Sequence, residues 1–196
     1  MRIVYDLGMS TETINKKLFT VDEFHRMLEI GILPEEDRRF ELIRGEIIEM
    51  PSHGTRHAGR VNRLTRLFTS RLGESVIVSI QNPMFINEFS EPKPDVALLK
   101  PMEVFFGAWN PEPQVVLLLV EISQTTLNYD KKIKLPLYAE AGILEYWILD
   151  IHKDVLVVLT EPVDGEYRHQ EVLQRGQTVC PRALPDITFS TGEILG

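Results

Sequence analysis

VVLLLVEIS, residues 115–123, is the stretch on which the fold turns. Six apolar residues run from Val115 to Val120 before Glu121 ends the run. A stretch with no polar alternation predicts a strand covered on both faces, as inside a sheet flanked by helices. It is far too short to cross a bilayer, which takes about 20 apolar residues. Asp95 stands twenty-six positions before Glu121, and the break Glu91-Pro-Lys-Pro94 starts a second strand at Asp95, running to Leu99. An acid opening one strand and an acid closing another meet at one sheet edge if the strands are neighbours. Two such carboxylates make a hard oxygen site suited to Mg²⁺ or Mn²⁺, which also draw on phosphate oxygens and water. The metal lowers the pKa of a bound water and steadies charge on a scissile phosphate. The rival reading leaves Asp95 and Glu121 solvated at strand ends. For Glu121 the apolar run counts against it, because a carboxylate ending a core strand needs a partner.

Downstream, Asp130–Ala141 reads as a helix stopped by Gly142, with Pro136 a defect inside it. LEYWILD, 144–150, is a further strand whose Tyr146 and Trp147 are core residues, and Val155–Thr160 and Tyr167–Leu173 form a hairpin around Asp164-Gly165. From Pro181 the tail reads as irregular. Upstream, Ser75–Ile80 and Met84–Ile86 are predicted strands, and residues 100–113 a loop holding Trp109. His57–Leu72 is an amphipathic helix with Val61, Leu64, Phe68 and Leu72 on one stripe and Gly73 closing it. Arg39–Met50 is a hairpin turning at Arg44-Gly45. Thr20-Val-Asp-Glu23 is a capping box that opens a short helix, after a loose lead-in over 1–18. This order predicts an α/β fold, one mixed β-sheet flanked by helices, as a single domain over 1–196.

The bulk numbers narrow the function classes. The chain has 196 residues, 43% hydrophobic and 26% charged, enough for one sizeable core. Its net charge of −8 argues against non-specific coating of nucleic acid, though not against a local basic surface. Cys180 is the only cysteine, so no intrachain disulfide is expected, and with no signal-peptide pattern a cytoplasmic location is the simplest expectation. Nucleotide-binding glycine loops and the G-x-S-x-G elbow are absent. His53 and His57 are not spaced as a zinc site.

Other residues carry weaker signals. Asp130, Lys134 and Tyr138 share a helix face, and Lys134 could reach a site on the preceding strand, where a cation orients a water or offsets phosphate charge. From spacing alone, a surface ion pair between Asp130 and Lys134 is the plainer reading. Glu41 alternates with Phe40 and Leu42 in the hairpin, and pattern does not separate it from Glu46 and Glu49. The helix over 56–72 carries Arg56, Arg60, Arg63, Arg66 and Arg71 and no acid. Arg56, Arg60 and Arg63 are candidates for phosphate contact, against the commoner solvated face.

With FELIRGEIIEM (40–50), SHGTRHAGRV (52–61), KPDVALL (93–99), VVLLLVEIS and YDKKIKLPLYAEAGILEYWILD (129–150), the chain resembles the Uma-two family of restriction-endonuclease-like proteins over roughly residues 18–175. That resemblance implies a PD-(D/E)XK nuclease core and a metal-dependent endonuclease acting on DNA. Asp95 would fill the PD aspartate, Glu121 the second acid, and Glu41 the acid of the opening hairpin. The superfamily pattern puts lysine at position 123, where this chain has Ser123, and Lys134 becomes the substitute. A homodimer is implied by analogy. The lost lysine also supports an alternative: an inactive nucleic-acid-binding or dimeric interaction module that keeps the nuclease fold. A third reading is a structural dimer whose acids only satisfy backbone groups.

Overall fold

In the computed structural model, which describes residues 3–4, 13–34, 38–52, 54–102 and 110–196, the apolar run becomes an interior strand of a six-stranded sheet. Chain contacts gather into two units, Met1–Pro51 with Asn87–Glu91, and Ser52–Ile86 with Pro92–Gly196.

In the first unit, two-residue strands β1 (Ile3–Val4) and β2 (Thr13–Ile14) pair antiparallel within the lead-in. Helix α1 (Val21–Glu29) starts at the capping box read from the sequence: Glu23 N–H donates to Thr20 Oγ1 and Thr20 N–H to Glu23 Oε2. Strands β3 (Arg39–Ile43) and β4 (Glu46–Met50) form the predicted hairpin. Its two turn residues, Arg44 at φ 51° and Gly45 at φ 77°, are both left-handed, which matches the twist of a tight hairpin. The expected in–out alternation does not hold. Phe40, Glu41 and Leu42 are all buried, and Glu41 is 0% exposed rather than solvated, because β3 is covered on both faces.

The second unit holds helix α2 (Thr55–Leu72) and strands β5 (Ile77–Ile80), β6 (Val96–Leu99) and β7 (Val116–Ser123). A crossover follows, made of helix α3 (Leu127–Tyr129), a wide π turn (Asp130–Lys134) and helix α4 (Leu135–Glu140). Strands β8 (Glu145–Asp150), β9 (Val155–Val163) and β10 (Glu166–Leu173) complete the sheet. Its order is β10-β9-β8-β7-β6-β5. Only β7 and β8 are parallel, which is why a helical crossover joins them. Alternate residues of β7 feed two cores. Leu118, Val120 and Ile122 pack with Val61, Leu64 and Phe68 of α2, while Leu119 packs with Tyr138 of α4 and Tyr146 and Ile148 of β8. That double burial produces the uninterrupted apolar run. No helix among the described residues is long and apolar enough to cross a membrane.

Several expectations change. Met84–Ile86 is not a strand: Met84 N–H donates to Pro92 O and Phe85 N–H to Pro111 O, two separate loop carbonyls, so no ladder forms. The helix before Gly142 begins at Leu127, and Pro136 stands directly after the π turn, at the second residue of α4. Gly142, at φ 74°, ends it, with Ile143 N–H donating to Tyr138 O. The tail is ordered. Strand β11 (Thr178–Val179) pairs with β12 (Phe189–Ser190), and helix α5 (Thr191–Leu195) comes next with its own capping box from Ser190 and Glu193. His53, the loop around Trp109 and most of the lead-in lie outside the described residues.

The tail is part of the main core. Phe189 is fully buried and meets the Phe68 ring edge-on, centroids 5.4 Å apart. Phe189→Ala should cost about 3 kcal/mol of stability, read as a lower urea midpoint. An unchanged midpoint would show that the tail contributes no packing.

Candidate functional site

The sheet edge where β6 begins and β7 ends collects the polar residues of the second unit. The β6–β7 register pairs Val96 with Val120, and Asp95 and Glu121 stand one step beyond that pair. Asp95 occupies a bend just ahead of β6 rather than the strand itself. Its carboxylate is 3% exposed and is held from three separate elements. His57 Nε2 of α2 lies 2.9 Å from Oδ2, and the Ile122 backbone N–H donates to the same oxygen at 2.9 Å. Gln81, just after β5, donates from Nε2 to Oδ1 at 3.1 Å. An ionised carboxylate only accepts, so the proton of the first bond sits on the imidazole. Burial opposes ionisation of Asp95. The hydrogen bond and electrostatic pull of His57, then the Ile122 N–H and Lys134, outweigh it and hold the carboxyl at about 2. Gln81 is itself strained, at φ 51°, and its backbone N–H also donates to Asp95 O. A non-glycine residue held there marks a backbone fixed by its surroundings.

Glu121, 4% exposed, takes its partners from the crossover. Lys134 Nζ donates to Oε1 at 2.9 Å, and Tyr138 Oη donates to the same oxygen at 3.0 Å. The Tyr129 ring flanks the ammonium, 5.9 Å from centroid to Nζ. Lys134 is 2% exposed, whereas Lys131 and Lys132 are exposed. The plain surface ion pair between Asp130 and Lys134 is therefore not what forms. Asp130 is buried and accepts at Oδ2 from Ser123 Oγ at 2.5 Å and Thr126 Oγ1 at 2.8 Å. Burial pushes the Asp130 carboxyl up, partly offset by Lys134.

Asp95, Glu121 and Lys134 thus converge in the second unit, and Glu41 lies on β3 in the first. Among the described residues no group of three or more His, Cys, Asp and Glu side chains forms a metal cage. The arginines of α2 divide. Arg63 Nε donates to Glu193 O at 2.8 Å, and Arg71 pairs with Glu193 and donates to Thr188 O at 2.9 Å. Arg60 is half-buried; Arg56 and Arg66 are exposed. His57 and Gln81 are the residues that sequence reasoning missed. His57 carried a usable signal: it sits on the apolar stripe of Val61, Leu64 and Phe68, and a polar group there needs a buried partner.

This architecture is shared with a solved structure, a putative nuclease belonging to DUF820 from Anabaena variabilis ATCC 29413, at TM-score 0.69 and 16% identity, covering 90% of this chain and 97% of that one. No curated protein matches the sequence. The Uma2 family, described as "Putative restriction endonuclease", matches residues 21–192, and the chain belongs to that family.

The depressed Asp95 pKa fixes a pH signature. A carboxyl held lower in the folded state stabilises above its unfolded pKa, near 4, and that stabilisation is lost as pH falls through about 2. In chelator, the parent should lose about 2 kcal/mol across this window beyond what Asp95→Asn loses. Urea midpoints at several acidic pH values measure it, and parallel curves would mean that Asp95 is not held as described.

Proposed function

We propose that this chain is a metal-dependent endonuclease that hydrolyses phosphodiester bonds of DNA. The observation that carries the reading is the buried acid pair at one sheet edge, Asp95 and Glu121, with the Lys134 ammonium 2.9 Å from Glu121. Membership in a family described as "Putative restriction endonuclease" supports it.

The donor set fits a hard divalent cation such as Mg²⁺ or Mn²⁺. Its atoms are carboxylate oxygens, and Asp95 is ionised at neutral pH. Asp95 and Glu121 would hold the ion, with waters and phosphate oxygens completing its shell. When bound, it supplies an acidified water and charge stabilisation at the phosphate. The chain's own residues do the rest. His57 and Gln81 fix the Asp95 carboxylate, and Tyr138 shares Glu121 Oε1 with Lys134, which sets where the ammonium stands. Hydrolysis adds a water oxygen to phosphorus and releases one ester oxygen. As negative charge builds on the phosphoryl oxygens, the Lys134 ammonium orients the water or offsets that charge. Glu41 assists in this reading, as the acid of the opening hairpin. Arg56 is the first candidate for phosphate contact, being exposed in the turn of α2 that carries His57. Arg60 comes next along α2, and Arg63 would contact phosphate only from a side chain already donating to Glu193 O. Duplex DNA offers two scissile strands, and a homodimer would present one site to each.

A second reading, an inactive nucleic-acid-binding module, has Ser123 in its favour: the usual lysine position is filled by a buried hydroxyl committed to Asp130.

A cleavage assay with Mg²⁺ separates the two. Lys134→Ala should lose at least about a hundredfold in turnover while keeping Mn²⁺ affinity by calorimetry, and Lys132→Ala should match the parent. Binding without cleavage by the parent would favour the module. In salt titrations of DNA binding, Arg56→Ala should lower the log–log slope by about 1. A slope equal to the parent's would remove Arg56 from the interface.

A further inference from the structure

Glu121 and Ser123 are two apart on β7 and so face the same side of the sheet. The crossover answers them in pairs. Lys134 meets Glu121 at 2.9 Å, and Asp130, four residues earlier, meets Ser123 at 2.5 Å. The result is a two-rung ladder between the strand end and the crossover, with all four side chains buried. Thr126 steadies the lower rung through its hydroxyl on the same Asp130 oxygen, and Asp130 N–H donates to Thr126 O at 2.8 Å.

Between the rungs the helix is not α. Asp130–Lys134 is a π turn, closed by Leu135 N–H donating to Asp130 O, five residues back. One extra residue in a turn rotates the residues beyond it by about 100° relative to an unbroken α-helix. The π turn therefore sets how Tyr138, beyond it, is turned relative to Asp130, and Tyr138 and Lys134, the last residue of the turn, both meet Glu121 Oε1. A widened turn has weaker hydrogen-bond geometry than the α-helix and persists where its surroundings over-determine it. Here the anchor at its first residue is Asp130.

We propose that Asp130, clamped by Ser123 and Thr126, is a positioning residue for Lys134: the lower rung holds the wide turn so that the ammonium is delivered to Glu121. Ser123 then has a function of its own at the position where the superfamily pattern has lysine. Its hydroxyl anchors the turn that brings the cation in from the crossover. The catalytic meaning rests on the nuclease reading, whereas the ladder itself can be tested without activity.

The test is acylation of lysines by an amine-reactive ester on the folded full chain, mapped by mass spectrometry, with exposed Lys131 and Lys132 as internal references. Ser123→Val and Ser123→Thr have the same shape and differ only in the hydroxyl. Ser123→Val and Asp130→Ala should raise Lys134 labelling at least about tenfold over the parent, while β8 amides stay protected from hydrogen exchange. Ser123→Thr should keep Lys134 protected. Lys134 as protected in Ser123→Val and Asp130→Ala as in the parent overturns the proposal. If those variants lose β8 protection, Thr126→Val against Thr126→Ser poses the same question, and equal labelling of that pair overturns it too. In the cleavage assay Ser123→Val should lower kcat with KM unchanged and Ser123→Thr should restore it. A parent that cleaves nothing sinks the nuclease reading and leaves the labelling result to decide the ladder.

Discussion

A carboxylate at the end of an interior strand must find a partner, and Glu121 finds Lys134. Both side chains are almost fully buried, and their contact at 2.9 Å is completed by the Tyr138 hydroxyl on the same oxygen. Such a pair is weak evidence for stability, because desolvation offsets most of its attraction, but removing one partner alone costs about 3–5 kcal/mol. Much of the second unit is arranged to keep it intact. The β7–β8 crossover must lie against the end of β7, its helix must widen between Asp130 and Lys134, and α4 must continue far enough to bring Tyr138 down on the same carboxylate.

Asp95 is organised on the opposite principle. Among the described residues no lysine stands at hydrogen-bond distance from it, and its negative charge is spread over donors from α2, from the β7 backbone and from the residue after β5. The two acids at one sheet edge therefore differ in character. Glu121 is matched directly by the Lys134 ammonium, whereas Asp95 is kept ionised by the hydrogen bond and charge of His57, the Ile122 N–H and the more distant Lys134. Asp130 is a third case, a buried acid satisfied by two hydroxyls and pushed upward by burial. Three carboxylates share a small volume without mutual expulsion because each is compensated by different chemistry.

The sequence carries the strand architecture of this site well and its supports poorly. The β7 run, the α2 stripe and the hairpin at Asp164-Gly165 are legible because each is a local pattern set by burial or turn chemistry. Position 81 is not, since Gln81 comes after an ordinary strand and acquires its role only from a neighbour fourteen residues on. The π turn leaves no periodic trace beyond Pro136, which reads equally well as a kink. Glu41 reads as a solvated hairpin acid because alternation assumes one wet face, and β3 has none. The tail past Pro181 reads as irregular because its pieces, β11, β12 and α5, are each too short to show a period, and its order comes from packing on α2.

The same packing changes how the basic helix is to be understood. Five arginines on α2 suggest a phosphate-gripping face in a chain of net charge −8. Two of them, Arg63 and Arg71, instead hold the tail through Glu193 and Thr188, and the Arg71 guanidinium lies over the Phe189 ring at 5.4 Å. Their charge serves a tertiary contact, so the helix divides along its length. From its middle to its C-terminus, Arg63 and Arg71 fasten the end of the chain to the core. Its N-terminal turn carries His57 to Asp95 and leaves Arg56 exposed. Counterion release scales with the phosphates neutralised. A face that commits two of its five arginines to the tail would have that much less charge to offer phosphates.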